Sequence, residues 1–109
     1  MSRVDRGTYV DVDVAELHGD DDPHKVVLDV REPMETAQGT VEGALCVPLG
    51  RLDEAIGQIE DDANLYIVCR SGSRSAYASE VLAGAGKRDV KNVAGGLMAW
   101  VSKGYPLAR

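Results

Sequence analysis

The stretch Leu65-Tyr66-Ile67-Val68-Cys69-Arg70-Ser71-Gly72-Ser73-Arg74 runs from four apolar residues into a short polar loop. A continuous apolar run of that length suits a strand buried on both faces, as in a parallel sheet. Helical spacing follows almost at once. Ala78, Val81, Leu82 and Ala85 fall at i, i+3, i+4 and i+7, which predicts one buried helix face. Gly86 is placed to end that helix. A strand, a tight loop and a helix in succession make half of a βαβ unit.

The same alternation extends in both directions. Upstream, Tyr9 to Val12 reads as a first strand, and Asp13 as the cap of a short helix through Leu17. His18 to Lys25, with Asp20-Asp21-Asp22-Pro23, reads as a solvated turn. Val26 to Val30 is a second strand, followed by a helix from Pro33 that stops near Gly39. Ala44 to Val47 is a third strand ended by Pro48, and Leu52 to Ile59 a helix. Downstream, Val90 to Val93 is a final strand. Gly95-Gly96 opens a last helix whose Leu97, Trp100 and Val101 share a face, and Gly104 and Pro106 close it. Alternating strands and helices predict an α/β domain with a mainly parallel sheet, spanning the 109 residues as one domain. Ligands in such folds sit at the carboxyl ends of the strands. The segments that bring chemistry there are Asp29-Val30-Arg31-Glu32 and Cys69 to Arg74.

Composition narrows the function. The formal net charge of −6 and pI near 4.8 oppose nucleic acid and anionic lipid as partners. An anionic substrate therefore needs a local positive field. No stretch approaches the roughly 20 apolar residues of a membrane span, and Met1 to Arg6 holds no apolar leader. Cys46 and Cys69 read as free thiols in a reducing, cytoplasmic setting. Two cysteines and two histidines at scattered positions form no metal-ligand spacing, and no cofactor is indicated. His18 and His24 read as exposed loop residues. Cys46, in the middle of an apolar strand with no charge beside it, reads as a packing residue.

Cys69 reads differently. Gly72 gives the loop the freedom to turn sharply, and successive N–H groups then converge into an anion-binding nest. The following helix adds its free amides and the positive end of its dipole. Arg70 and Arg74 add two permanent charges, so the setting favours a thiolate with no histidine required. A buried apolar cysteine does not need two arginines, two serines and a glycine beside it.

These motifs together resemble the rhodanese family of single-domain sulfurtransferases, from about Val12 to Leu107. Four segments are similar to the family's signatures, in the right order: Val27 to Pro33, Gly39 to Ala44, Val68 to Ser75, and Asn92 to Trp100. The resemblance implies a rhodanese-like α/β fold, a five-stranded, mainly parallel sheet with helices on both faces. It also implies that Cys69 takes a sulfur from a donor such as thiosulfate and passes it, as a persulfide, to cyanide or a thiol. The loop residues Arg70, Ser71, Gly72, Ser73 and Arg74 would bind the substrate, and Asp29 and Arg31 would be structural. Departures lie at Thr40, where the family often has His, and at Thr36 and Lys87, where it often has an aromatic.

Related phosphatases of this fold place five residues between Cys and Arg. Only Arg70 to Ser73 intervene here, and the narrower ring of amides suits sulfur better than phosphate. The remaining alternatives are arsenate reduction, a non-catalytic regulatory module, and a persulfide carrier serving a sulfur-relay protein.

Overall fold

The computed structural model describes residues 3–109. Six strands form one sheet: β1 (Val4–Asp5), β2 (Val10–Val12), β3 (Lys25–Asp29), β4 (Leu45–Cys46), β5 (Asn64–Val68) and β6 (Val90–Val93). Their spatial order is β1-β2-β6-β5-β3-β4. All pairs are parallel except β1 with β2. The five expected strands are present, and β1 adds a sixth. Its two residues are exposed at the sheet edge, so they carry none of the apolar patterning by which a buried strand is read.

The alternation of β5 divides the core. Leu65, Ile67 and Cys69 point to one face, where Leu52, Ala55 and Ile59 pack with Ala78 and Leu82. The first three belong to α3 (Leu52–Gln58) or its end, and the last two to α4 (Ser73–Gly84). Tyr66 and Val68 point to the other face, against Val14, Leu17, Leu97 and Trp100. These come from α1 (Val14–Gly19) and, for the last two, α5 (Gly96–Ser102). A parallel strand covered on both faces tends to be apolar along its length, and Leu65 to Val68 of β5 read as an unbroken run. The short α2 (Pro33–Thr36) contributes nothing buried and lies at the carboxyl end of β3.

Local signals account for several ends. The Asp13 side chain accepts from the Glu16 amide at 3.0 Å and starts α1. Beyond α4, Gly86 has φ +104° and the Lys87 amide returns to Leu82 O at 3.1 Å, a left-handed stop.

Four expectations need correction. The buried stripe of α4 is Ser75, Ala78, Ser79 and Leu82, while Val81 is half-buried and Ala85 exposed. Two serines on the inner face displaced the stripe from the purely apolar one. Val101 is likewise exposed, and α5 packs through Leu97 and Trp100. Cys46 is exposed, because β4 is the edge strand and has no neighbour beyond it. His18 lies in the last turn of α1 rather than in a loop, exposed, with its ring stacked on Tyr105 at 3.8 Å.

Two of the family departures have local accounts. Lys87 is buried, and its ammonium donates to Ile56 O at 2.8 Å, Ile59 O at 2.5 Å and Asp61 Oδ1 at 2.8 Å. It thereby caps the carbonyl end of α3, with its stem as packing. Thr40 donates to Asp29 Oδ2 at 2.6 Å.

Candidate functional site at the end of β5

Cys69 is the first residue beyond β5, and its residue exposure is 1%. The chain then reverses within three residues to begin α4. That reversal depends on Gly72, with φ +108° and a position where a Cβ would lie 2.0 Å from Ala94 O. No other residue type fits there. The turn aims the Gly72 amide at Cys69 Sγ, 3.1 Å away. One turn of helix later, the Ser75 amide reaches the same sulfur at 3.3 Å and the Ser75 hydroxyl lies 3.4 Å from it. The amides of the first helical turn have no intrahelical acceptor; here the Ser75 amide spends itself on sulfur.

The segment after β6 clamps the loop from behind. Leu97 N donates to Cys69 O and Met98 N to Arg70 O, each at 2.9 Å. This close approach requires Gly96, where a Cβ would stand 2.5 Å from Arg70 O. Asn92, on β6, accepts from the Ser75 hydroxyl at 2.5 Å and donates to Asp11 Oδ1 at 2.9 Å.

Burial is the largest influence on the Cys69 thiol and pushes it up. The Ser75 hydroxyl and the amides of Ser75, Gly72 and Ser71 act together in the opposite direction and leave it below an ordinary thiol. The thiol almost closed to solvent is thus lowered by directed hydrogen bonds in spite of its burial.

The two arginines of the loop have different fates. Arg74 forms a two-pronged pair with Glu35 of α2, at 2.7 and 2.8 Å, and Glu35 is lowered to about 2 chiefly by that contact. Much of the Arg74 charge is committed inside the protein. Arg70 is exposed and has no carboxylate partner among the described residues. It borders an open hollow of about 570 Å³ together with Arg31, Glu35, Gln38, Leu97, Met98, Val101 and Leu107. Ser71 and Ser73 stand exposed on the rim of the loop.

Asp29 and Arg31 form a buried pair, with Arg31 on the wall of this hollow. The Arg31 guanidinium reaches Asp29 through Nε at 3.0 Å and Nη2 at 2.8 Å, and Nη2 also donates to Gly39 O at 2.7 Å. They tie the β3 loop to the Gly39 turn, and neither has an atom on Cys69.

The structure therefore brings Cys69 and Arg70 to Arg74 together at one end of the sheet. It also places Ser75 against the sulfur and Asn92 behind Ser75, two residues to which sequence reading assigned no role. A serine on the buried face of an amphipathic helix, one turn past the loop, was the available signal for Ser75.

The family model for the rhodanese-like domain matches residues 12–103. The chain belongs to the rhodanese-like family. A sulfurtransferase of Allochromatium vinosum is 37% identical over 82 residues, which are 75% of this chain and 77% of that protein. A protein of Arabidopsis thaliana named thiosulfate sulfurtransferase 16, chloroplastic, is 35% identical over 91 residues, covering 72% of this chain and 76% of its own. A Bacillus subtilis relative provisionally named a sulfur carrier protein is 32% identical, over 77% of this chain and 45% of that protein. Among solved structures, a rhodanese-related protein of Thermoplasma volcanium superposes with a TM-score of 0.80 at 34% identity, over 90% of this chain and 96% of that one. The rhodanese-like α/β fold is thus shared across nearly the whole chain. Among the described residues no helix is long and apolar enough to cross a membrane.

Proposed function

We propose that this rhodanese-like chain is a thiosulfate sulfurtransferase that carries sulfane sulfur as a persulfide on Cys69. The observation that carries the reading is the sulfur itself, buried yet held by the Gly72 and Ser75 amides at 3.1 and 3.3 Å. Such a donor set favours negative charge on sulfur without a general base.

In the proposed reaction, the Cys69 thiolate attacks the outer sulfur of thiosulfate. A new S–S bond forms as the S–S bond of the donor breaks, and sulfite leaves with the electron pair. An acceptor thiol or cyanide then attacks the terminal sulfur and Cys69 departs as thiolate. Arg70 is the proposed contact for the anionic donor at the mouth, while Ser71, Gly72 and Ser73 offer the loop backbone. Arg74 contributes from behind its pair with Glu35. The proposed setting is a reducing compartment such as the cytoplasm, where unpaired thiols like Cys46 and Cys69 persist.

A persulfide carrier that hands sulfur to a protein uses the same first step. The exposed Met98, Val101 and Leu107 beside Arg70 favour it as the second reading, since apolar side chains rimming a site suit a macromolecular acceptor. Cyanide-dependent thiocyanate release separates the site assignments. Cys69→Ser is expected to abolish it and Cys46→Ser to keep most of it. An inactive Cys46→Ser variant with active Cys69→Ser would overturn the reading. Phosphate or arsenate turnover that depends on Cys69, without thiocyanate release, would do the same.

A further inference from the structure

Hydrogen-bond chemistry determines where the Ser75 proton sits. The Asn92 side chain faces two groups that can only accept, Asp11 Oδ1 at 2.9 Å and Gly72 O at 3.4 Å. Its nitrogen must therefore point to them and its oxygen to Ser75. That oxygen only accepts, so the Ser75 hydroxyl is the donor across the 2.5 Å contact. A hydroxyl has one proton. Committed to Asn92, it leaves a lone pair facing Cys69 Sγ at 3.4 Å.

We propose that Asn92 is a positioning residue that locks the Ser75 hydroxyl proton away from Cys69, making that hydroxyl an acceptor for the neutral thiol. On ionisation of Cys69 the S–H proton leaves for solvent, and the Ser75 hydroxyl turns from Asn92 to donate to the thiolate. When Sγ becomes the neutral inner sulfur of a persulfide, the hydroxyl turns back. The last step rests on the persulfide reading; the first two do not. Asp11, buried on β2 and paired with Arg6 at 2.7 Å, anchors the Asn92 amide in the orientation the lock requires. The other charged groups around the sulfur are Arg74 with Glu35 from α2, and Arg70 of the loop.

The lock has a cost for the thiolate, because turning the hydroxyl sacrifices the bond to Asn92. Removing Asn92 should therefore make Cys69 ionise more readily, opposite to the loss expected from damage to a site. The test is the ultraviolet thiolate absorbance against pH in a Cys46→Ser background, with no sulfur donor present. Asn92→Ala is expected to lower the midpoint by about half to one pH unit. In Ser75→Ala, the added Asn92→Ala change should have almost no effect on the midpoint. An unchanged or raised midpoint, or an equal fall in both backgrounds, would overturn the proposal. If Asn92→Ala does not fold, the infrared S–H stretch decides it on the folded parent and Ser75→Ala. A hydrogen-bonded S–H band in the parent should move to the free frequency in Ser75→Ala, and an identical band in both would refute the lock. Because no donor is used, failure to load a persulfide leaves both measurements readable.

Discussion

Cys69 follows β5 and Cys46 ends β4, with β3 between them, so the two thiols stand at the same end of one sheet. Their exposure suggests the wrong chemistry. Cys46 is exposed and Cys69 buried, yet the Cys69 thiol is lowered and the Cys46 thiol raised. At Cys46 partial desolvation leads, the Asp29 carboxylate adds to it, and Arg31 and Thr36 only partly offset them. At Cys69 the penalty of burial is met by the Gly72 and Ser75 amides aimed at the sulfur, with the Ser75 hydroxyl beside them to turn toward the thiolate. Directed donors, more than access to water, separate a lowered thiol from a raised one here.

The largest effect expected at the Cys69 end, apart from loss of the cysteine itself, comes from Gly72. Gly72→Ala forces a Cβ to within 2.0 Å of Ala94 O at a φ of +108°. A loss of about 3 kcal/mol or more is expected, read by urea unfolding. Thiosulfate turnover should also collapse, because the Gly72 amide can no longer reach sulfur. A stable, active Gly72→Ala protein would show that the loop does not depend on this turn.

At the Cys46 end, Arg31→Ala leaves Asp29 buried without its partner. Removing one member of a buried pair costs about 3 kcal/mol, which chemical unfolding would register. The Cys46 thiol should titrate higher, since Arg31 opposes its upward shift, while Cys69 should change little. Equal shifts at both cysteines would erase the distinction between the two strand ends.

The Glu35–Arg74 pair predicts a smaller, pH-dependent effect. Glu35 is lowered from 4.5 to about 2 in the folded protein. Its contribution to stability is therefore complete above pH about 4.5 and is lost as pH falls toward about 2. Glu35→Gln should cost about 1 kcal/mol or less at neutral pH, given the partial exposure of the pair, and should flatten that part of the acid profile. It should also release Arg74 toward the mouth and lower the KM for thiosulfate. An unchanged KM with a flattened acid profile would instead assign Arg74 a purely structural part.

What sequence reading captured follows from range. The central strands β3 and β5 were legible because burial on both faces writes a run of apolar residues into each, Val26 to Leu28 and Leu65 to Val68. The Cys69 loop was legible because its cysteine, glycine and arginines are neighbours in the chain. The partners that define the site are not neighbours. Arg74 meets Glu35 across 39 residues and Asn92 meets Asp11 across 81, and no local pattern encodes either contact. Ser75 and Ser79 were hidden by their polarity: each satisfies its hydroxyl inside the protein, Ser79 on Ser75 O at 2.8 Å, and so each sits where an apolar residue was expected. Cys46 was misjudged because a two-residue edge strand carries the same letters as a buried one.

Peptide mass analysis after incubation of the native protein with thiosulfate tests the central claim most directly, because both thiols compete for the same donor. The account predicts the added mass of one sulfur atom on the peptide bearing Cys69, removable by cyanide, and none on the peptide bearing Cys46. Sulfur on Cys46 alone, or on neither, would contradict it.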